Sequence, residues 1–293
     1  MARAEILKTY KIYIGGKFPR TESGRYYTPK QDGKSLGNIC LSSRKDFRNA
    51  VVAARNAFGS WSNATAFNRS QVLYRIAEML EGRKAQFVEE LMQQGSSKAK
   101  AEKEVFAAID RIIYFAGWCD KYSQIFSAVN PVATSHFNFT APEPTGVVSV
   151  VAPEDTSLIG LVSGIIPVIA SGNTCVVLVS ESKPLCAVTF AEVLNSSDVP
   201  GGAVNILTGH TKELLSHMAS HMDVNAFLYA RGDKKELLEI QKQAVENLKR
   251  VVHYDFSDVY AEKHQNPYYI EDFVEMKTTW HPIEKIGASG SGY

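Results

Sequence analysis

The sequence has no Cys-x-x-Cys pair, no Gly-x-Gly-x-x-Gly and no Gly-x-x-x-x-Gly-Lys-Ser/Thr. The first absence argues against a zinc or redox-thiol site. The four cysteines, Cys40, Cys119, Cys175 and Cys186, are scattered and read as reduced, mostly buried thiols rather than a disulfide framework. The other two absences remove the glycine-rich turns that bring main chain close to a pyrophosphate. An excess of one charge is also missing. Thirty-two Lys and Arg against 31 Asp and Glu leave a net charge of +1, which argues against a protein that clamps nucleic acid or an anionic membrane. No basic start followed by an apolar stretch marks a signal peptide. The longest apolar run, Leu158 to Ala170, is too short to span a bilayer and carries Pro167. The expectation is a folded, cytoplasmic protein. Its 293 residues, 45% hydrophobic and 22% charged, suffice for one large domain or two ordinary ones.

What is present changes character along the chain. Tyr10–Lys17 alternates and ends in Gly15-Gly16, a short strand entering a tight turn. Ser43 with Asp46 resembles a capping box opening an amphipathic helix over Phe47–Phe58, with Phe47, Val51, Ala54 and Phe58 on one face. Asn68 to Gln93 and Ser97 to Tyr122 predict two further long helices. Ala128–Glu143 switches to a period of two between prolines and predicts an extended ribbon outside the main sheet. From Gly146, strands are expected at Val147–Val151, Asn173–Val179, Ala203–Leu207, Ala226–Tyr229 and Arg250–Tyr254. Helices at Ser157–Ala170, Leu185–Asn195, Lys212–His221 and Lys234–Asn247 separate them. Apolar strands alternating with helices predict an α/β fold, a doubly wound, Rossmann-like parallel sheet. Ile270–Ile283 predicts a last extended segment, and Gly287–Gly292 a Gly/Ser tail expected to be mobile.

Chemistry-bearing residues are few. Only Gly209 and Gly232 supply glycine to the strand-to-helix turns, so plain loops on an α/β scaffold are the simpler reading there. No cysteine reads as activated, which takes a cationic or helix-N-terminal setting. His217 and His221 have metal-capable spacing but no third ligand, which favours a solvated pair near a helix C-terminus. Glu154-Asp155 falls at a strand end, where ligands bind in parallel sheets. Asp155 followed by Thr156-Ser157 is also a natural N-cap cluster, and that reading is favoured.

At Glu143-Pro144-Thr145-Gly146-Val147-Val148 the chain resembles the aldehyde dehydrogenase superfamily. Ile14-Gly15-Gly16-Lys17 is similar to the family's "NG" entry strand. Ala57-Phe58-Gly59-Ser60-Trp61, with Arg69 and Leu73, is similar to its first helix pair. Pro167–Thr174 resembles "PALAAGNT", and Pro200–Gly209 resembles "PPGVVNIVTG". At the family's working positions the chain departs. "PWN", whose Asn stabilises the oxyanion, reads Pro153-Glu154-Asp155, and a carboxylate would repel the developing charge. "KPSE", whose Lys and Glu hold a ribose, reads Leu178-Val179-Ser180-Glu181. "GSTEVG", the pyrophosphate turn, reads Tyr229–Lys234, with Tyr and Lys in place of glycines. "ELGG", which supplies the general base, reads Tyr254-Asp255-Phe256-Ser257. After it, family members have a catalytic domain bearing the cysteine nucleophile. Here Val259–Pro267 leads straight to Tyr268–Thr279, which resembles the family's C-terminal oligomerisation strand.

The resemblance therefore implies a truncated member, similar to the non-catalytic second half of two-part aldehyde dehydrogenases. Residues 1–127 would be the N-terminal helical part and 128–145 the first oligomerisation ribbon. Residues 146–258 would form the Rossmann-like core and 268–293 the oligomerisation strand and tail, with the catalytic domain absent. No catalytic residue and no metal site is expected. Glu181, Ser180, Gly209 and Gly232 would be vestiges of cofactor binding, with no cofactor retained. The function implied is that of an inactive assembly or regulatory subunit, a dimer or larger oligomer with itself or with a full-length aldehyde dehydrogenase. One alternative is an NAD(P)-binding sensor in which Glu181 meets ribose and Arg231, Lys234 or Lys235 meets phosphate. The other is an oxidoreductase subunit completed by a partner.

Overall fold

The computed structural model describes residues 7–283; the Gly/Ser tail lies outside them. The chain opens with short strands, β1 (Thr9–Tyr10), β2 (Tyr26–Tyr27), β3 (Lys30–Gln31), β4 (Lys34–Ser35) and β5 (Asn38–Cys40). Those between Tyr26 and Cys40 were not expected, because two or three residues are too few to show alternation. The anticipated turn is present: Gly15 and Gly16 have φ of +60° and +78°, a region that disfavours side chains. It follows Tyr13, which pairs with Ile206 through main-chain bonds of 2.9 and 2.8 Å.

The helices follow their caps. In α1 (Arg44–Ser62) the Ser43 hydroxyl accepts from the Asp46 amide and the Asp46 carboxylate accepts from the Ser43 amide, as the capping box predicts. The long second pattern is two helices, α2 (Ala66–Gly82) and α3 (Lys84–Gln93), broken at Arg83. The third is α4 (Lys98–Ala116), ended by Gly117, and a separate turn, α5 (Tyr122–Phe126). Gly82 and Gly117 carry a high helix cost, and apolar periodicity alone does not register it.

Beyond β6 (Ala128–Asn130) and β7 (His136–Pro144), the α/β region runs β8 (Val147–Val151), α6 (Ile159–Ala170), β9 (Thr174–Leu178), α7 (Leu185–Asn195), β10 (Val204–Leu207), α8 (Thr211–Ser220), β11 (Ala226–Tyr229), α9 (Lys234–Ala244) and β12 (Arg250–His253). All its strands are parallel, in the order β10-β9-β8-β11-β12. Alternate side chains divide two cores. Val148, Val150, Cys175, Val177 and Leu228 pack with α2, α4, α6 and α7. Val147, Val151, Val176, Leu178 and Phe227 pack with α1, α8 and α9. The strand order reverses direction between β8 and β11, and such a switch point is where ligands bind, at the carboxyl ends of the strands.

Between α3 and α7, Glu90 is buried and accepts from Thr189 Oγ1 at 2.7 Å, while its Oε2 has no partner. Burial pushes its carboxyl up to about 7. A raised folded pKa gives stability that is complete below the ordinary 4.5 and is lost as pH climbs to about 7. Glu90→Gln should therefore flatten the fall in unfolding free energy across that window, read by urea titration at several pH values.

After β12, residues 254–273, including α10 (Tyr268–Glu271), lead directly to β13 (Val274–Pro282). Tyr254 stacks on Tyr269 at 4.1 Å, with Phe256, His264 and Phe273 around them. Arg111, 2% exposed, donates to Ser163 Oγ at 2.7 Å and to the Val259 carbonyl at 3.0 Å, fastening this segment to α6. A second, antiparallel sheet has the order β13-β7-β6. The expected ribbon is thus β6 and β7. In β7, Pro142 and Pro144 lie opposite Met276 and Val274.

Candidate functional site

The switch-point crevice is formed by the turns after β8, β9, β10 and β11. Residues expected there do converge on the carboxyl ends of the strands: Ser180 and Glu181 after β9, Gly209 after β10, Gly232 after β11. A Cβ at Gly232 would meet nothing within 4 Å, so no close approach needs that glycine; one at Gly209 would lie 3.3 Å from the Ser42 amide. What fills the crevice is Arg231. Its Nε donates to the Ala152 carbonyl at 2.8 Å, and the two Nη atoms to Thr211 Oγ1 at 2.6 Å and to the Val179 carbonyl at 3.3 Å. Its guanidinium also lies 3.1 Å from Glu154 Oε2, with the Arg side chain only 12% exposed. A fork of fixed donors suits this bridging of several strand ends.

The carboxylates are committed in the same way. Glu154 accepts from Ser180 Oγ (3.1 Å), the Glu181 amide (3.1 Å), and the amide and hydroxyl of Ser182 (2.8 and 2.7 Å). Glu181 accepts from the Thr211 amide and pairs with His210 Nδ1 at 3.0 Å, closing the N-terminus of α8. Burial pushes its carboxyl up, and the bonds from Thr211 and His210 outweigh this, leaving it below its ordinary value. A cavity between Glu154, Thr156, Arg231 and Phe256 is ≈ 200 Å³, below the roughly 300–1,000 Å³ of small-molecule sites; a second, of ≈ 430 Å³, shares the Asp155–Thr156 turn and lies between Glu104, Ser157, Lys183 and Tyr260.

Two readings of the sequence are corrected here. Asp155 does not cap α6. It is exposed; of the expected cluster Thr156 serves, its Oγ1 accepting from the Gly160 amide at 3.2 Å, and the rest of the cap comes from α4: buried Glu104 Oε1 accepts from the amides of Leu158 and Ile159 at 2.8 and 3.2 Å. A carboxylate at a helix N-terminus meets both free amides and the helix dipole, and no local pattern announces a cap that arrives from another helix. Tyr229 is the last residue of β11, as expected over Ala226–Tyr229. Its hydroxyl donates to Glu236 at 2.5 Å, and the turn proper is Ala230–Asp233, where Asp233 caps α9. Arg231, considered as a phosphate contact, points inward to Glu154.

At the family's other working positions the side chains are bonded elsewhere or exposed. Tyr254 donates to Asp272 Oδ2 at 2.8 Å. Asp255 is exposed, its carboxyl held low by the Ser257 amide. All four cysteines are buried, and burial raises the thiols of Cys119 (to about 12), Cys175 and Cys186. His217 and His221 are half-buried rather than solvated, and burial lowers both. Among the described residues no cluster of three His, Cys, Asp or Glu could hold a metal ion, and no helix is long and apolar enough to cross a membrane.

The aldehyde dehydrogenase family model matches residues 19–253. The chain belongs to the aldehyde dehydrogenase family. It is 30% identical over 249 residues to the cytosolic 10-formyltetrahydrofolate dehydrogenase of Mus musculus, covering 83% of this chain and 28% of that one. It is 29% identical over 246 residues to an aldehyde dehydrogenase of Aspergillus niger, covering 82% and 48%. Among solved structures, the NAD+ complex of an aldehyde dehydrogenase from Bacillus cereus superposes with a TM-score of 0.80 at 25% identity, over 84% of this chain and 50% of that one. The chain thus spans half or less of the length of these aldehyde dehydrogenases. The expected α/β, Rossmann-type fold is the fold of the family.

Proposed function

We propose that this protein is a catalytically inactive aldehyde dehydrogenase relative that acts as an assembly or regulatory subunit through its three-stranded sheet. The observation that carries the proposal is Arg231. Where a dinucleotide would lie at the switch point, the protein's own guanidinium bonds the ends of β8 and β9 and is paired with Glu154. NAD(P), which family membership implies, does not fit these residues. The ribose carboxylate at Glu181 is spent on α8, and in the turn expected to meet phosphate the Asp233 carboxylate takes the Lys235 and Glu236 amides that open α9. Covalent aldehyde chemistry needs a nucleophile, a base and oxyanion donors together. The family positions here offer Asp155 and Asp255 instead.

Calorimetry with NAD and NADP should give no heat, and the protein alone should not turn over propanal or acetaldehyde. Mass photometry, alone and with a co-expressed full-length aldehyde dehydrogenase, should show an oligomer in at least one case. A strictly monomeric protein under both conditions, or measurable NAD(P)-dependent turnover, would sink the reading.

A further inference from the structure

The backbone pattern of β13 fixes which of its groups are free. The Thr145 amide donates to the Phe273 carbonyl and the Ile283 amide to the Ser135 carbonyl. With the β13–β7 register, this makes Glu275, Lys277, Thr279 and His281 the residues that bond to β7, because bonded pairs alternate in an antiparallel ladder. The main-chain groups of Val274, Met276, Thr278, Trp280 and Pro282 then point away from β7, Pro282 offering a carbonyl but no donor. Among the described residues no strand pairs with that edge. Met276 and Trp280 are 41% and 57% exposed there. Long unpaired edges with exposed apolar side chains recruit another strand.

We infer that the occupant is a second copy of β13, paired antiparallel about a two-fold axis at Thr278 to make one continuous sheet from two chains. This rests on the assembly reading and specifies its partner. The argument is complementarity. Centred on Thr278, the whole of β13 overlaps itself. Outward groups of Met276, Thr278 and Trp280 meet those of Trp280, Thr278 and Met276 of the second copy. Met276 then lies against Trp280, a favourable sulfur–aromatic pair, and Glu275 faces His281. Centred on Lys277, the strand sets two ammonium groups directly opposite one another, a destabilising cross-strand pair. Centred on Met276, only Val274–Thr278 overlaps. Centred on Thr279, Lys277 faces His281 and the apolar match is lost.

Sedimentation velocity over a concentration series tests this on the full chain. A concentration-dependent dimer is expected, and Trp280→Arg, at an exposed position, should shift it to monomer with unchanged far-UV circular dichroism. The register is read with added cysteines, since the native ones are buried. Opposed residues of a bonded pair lie within disulfide reach. Thr278→Cys should therefore give a covalent dimer on mild oxidation at least several-fold faster than Lys277→Cys. Faster cross-linking of Lys277→Cys, or equal slow rates in both, overturns the pairing. A chain that stays monomeric alone but joins a full-length aldehyde dehydrogenase also overturns it while leaving the assembly reading intact. Monomers in both settings overturn both.

Discussion

Arg231→Ala should lower the unfolding free energy by about 3 kcal/mol, a drop in Tm of about 6–10 °C. The guanidinium is nearly enclosed and serves Ala152, Val179, Thr211 and Glu154 together. Truncation strands two carbonyls and removes the cation paired with a half-buried carboxylate. Charge alone does not replace it: Arg231→Lys keeps one ammonium but not the fork, so it should recover less than half of the loss. Differential scanning calorimetry of the three proteins measures this. A neutral effect of the alanine change would mean that the crevice is open in solution and that the cofactor argument falls with it.

Glu104→Ala should cost a similar amount, about 3 kcal/mol, because two buried amides at the start of α6 lose a charged acceptor. Glu104→Gln is the informative companion. It keeps an oxygen in place and gives up only the charge at the helix N-terminus, a loss of about 1 kcal/mol. Denaturant unfolding of the pair separates acceptor from charge. Equal losses would show that the carboxylate matters for its charge and not for the two bonds.

Much of this architecture is legible in the sequence, and the places where it is not have two causes, a weak local signal and a long-range contact. The parallel strands β8 to β12 are short apolar runs between helices, and apolar runs are a local signal. The Ser43–Asp46 cap is local too. The Arg83 break passes unseen because α2 and α3 both continue an apolar face and differ only in a glycine-weakened joint. At the candidate site the losses against the family's motifs can be counted from residue identity alone. What replaces them cannot. Glu104 reaches α6 from a helix distant in sequence, and Arg231 looks like a phosphate ligand until the position of Glu154 is known. Long-range pairing between charged side chains leaves no periodicity.

The two prolines of β7 give the small sheet a polarity of growth. Residues that bond to β13 alternate with Pro142 and Pro144, so their ring nitrogens, which cannot donate, fall on the opposite margin beyond the end of β6. One margin offers the whole of β13; the other offers only the three residues of β6 before the prolines blunt it. If copies join through β13, each chain has one adhesive border, so addition terminates at a closed pair. Fibre formation, the ordinary hazard of a chain that is sticky at both borders, is disfavoured by the shortness of β6 together with the placement of two imino acids.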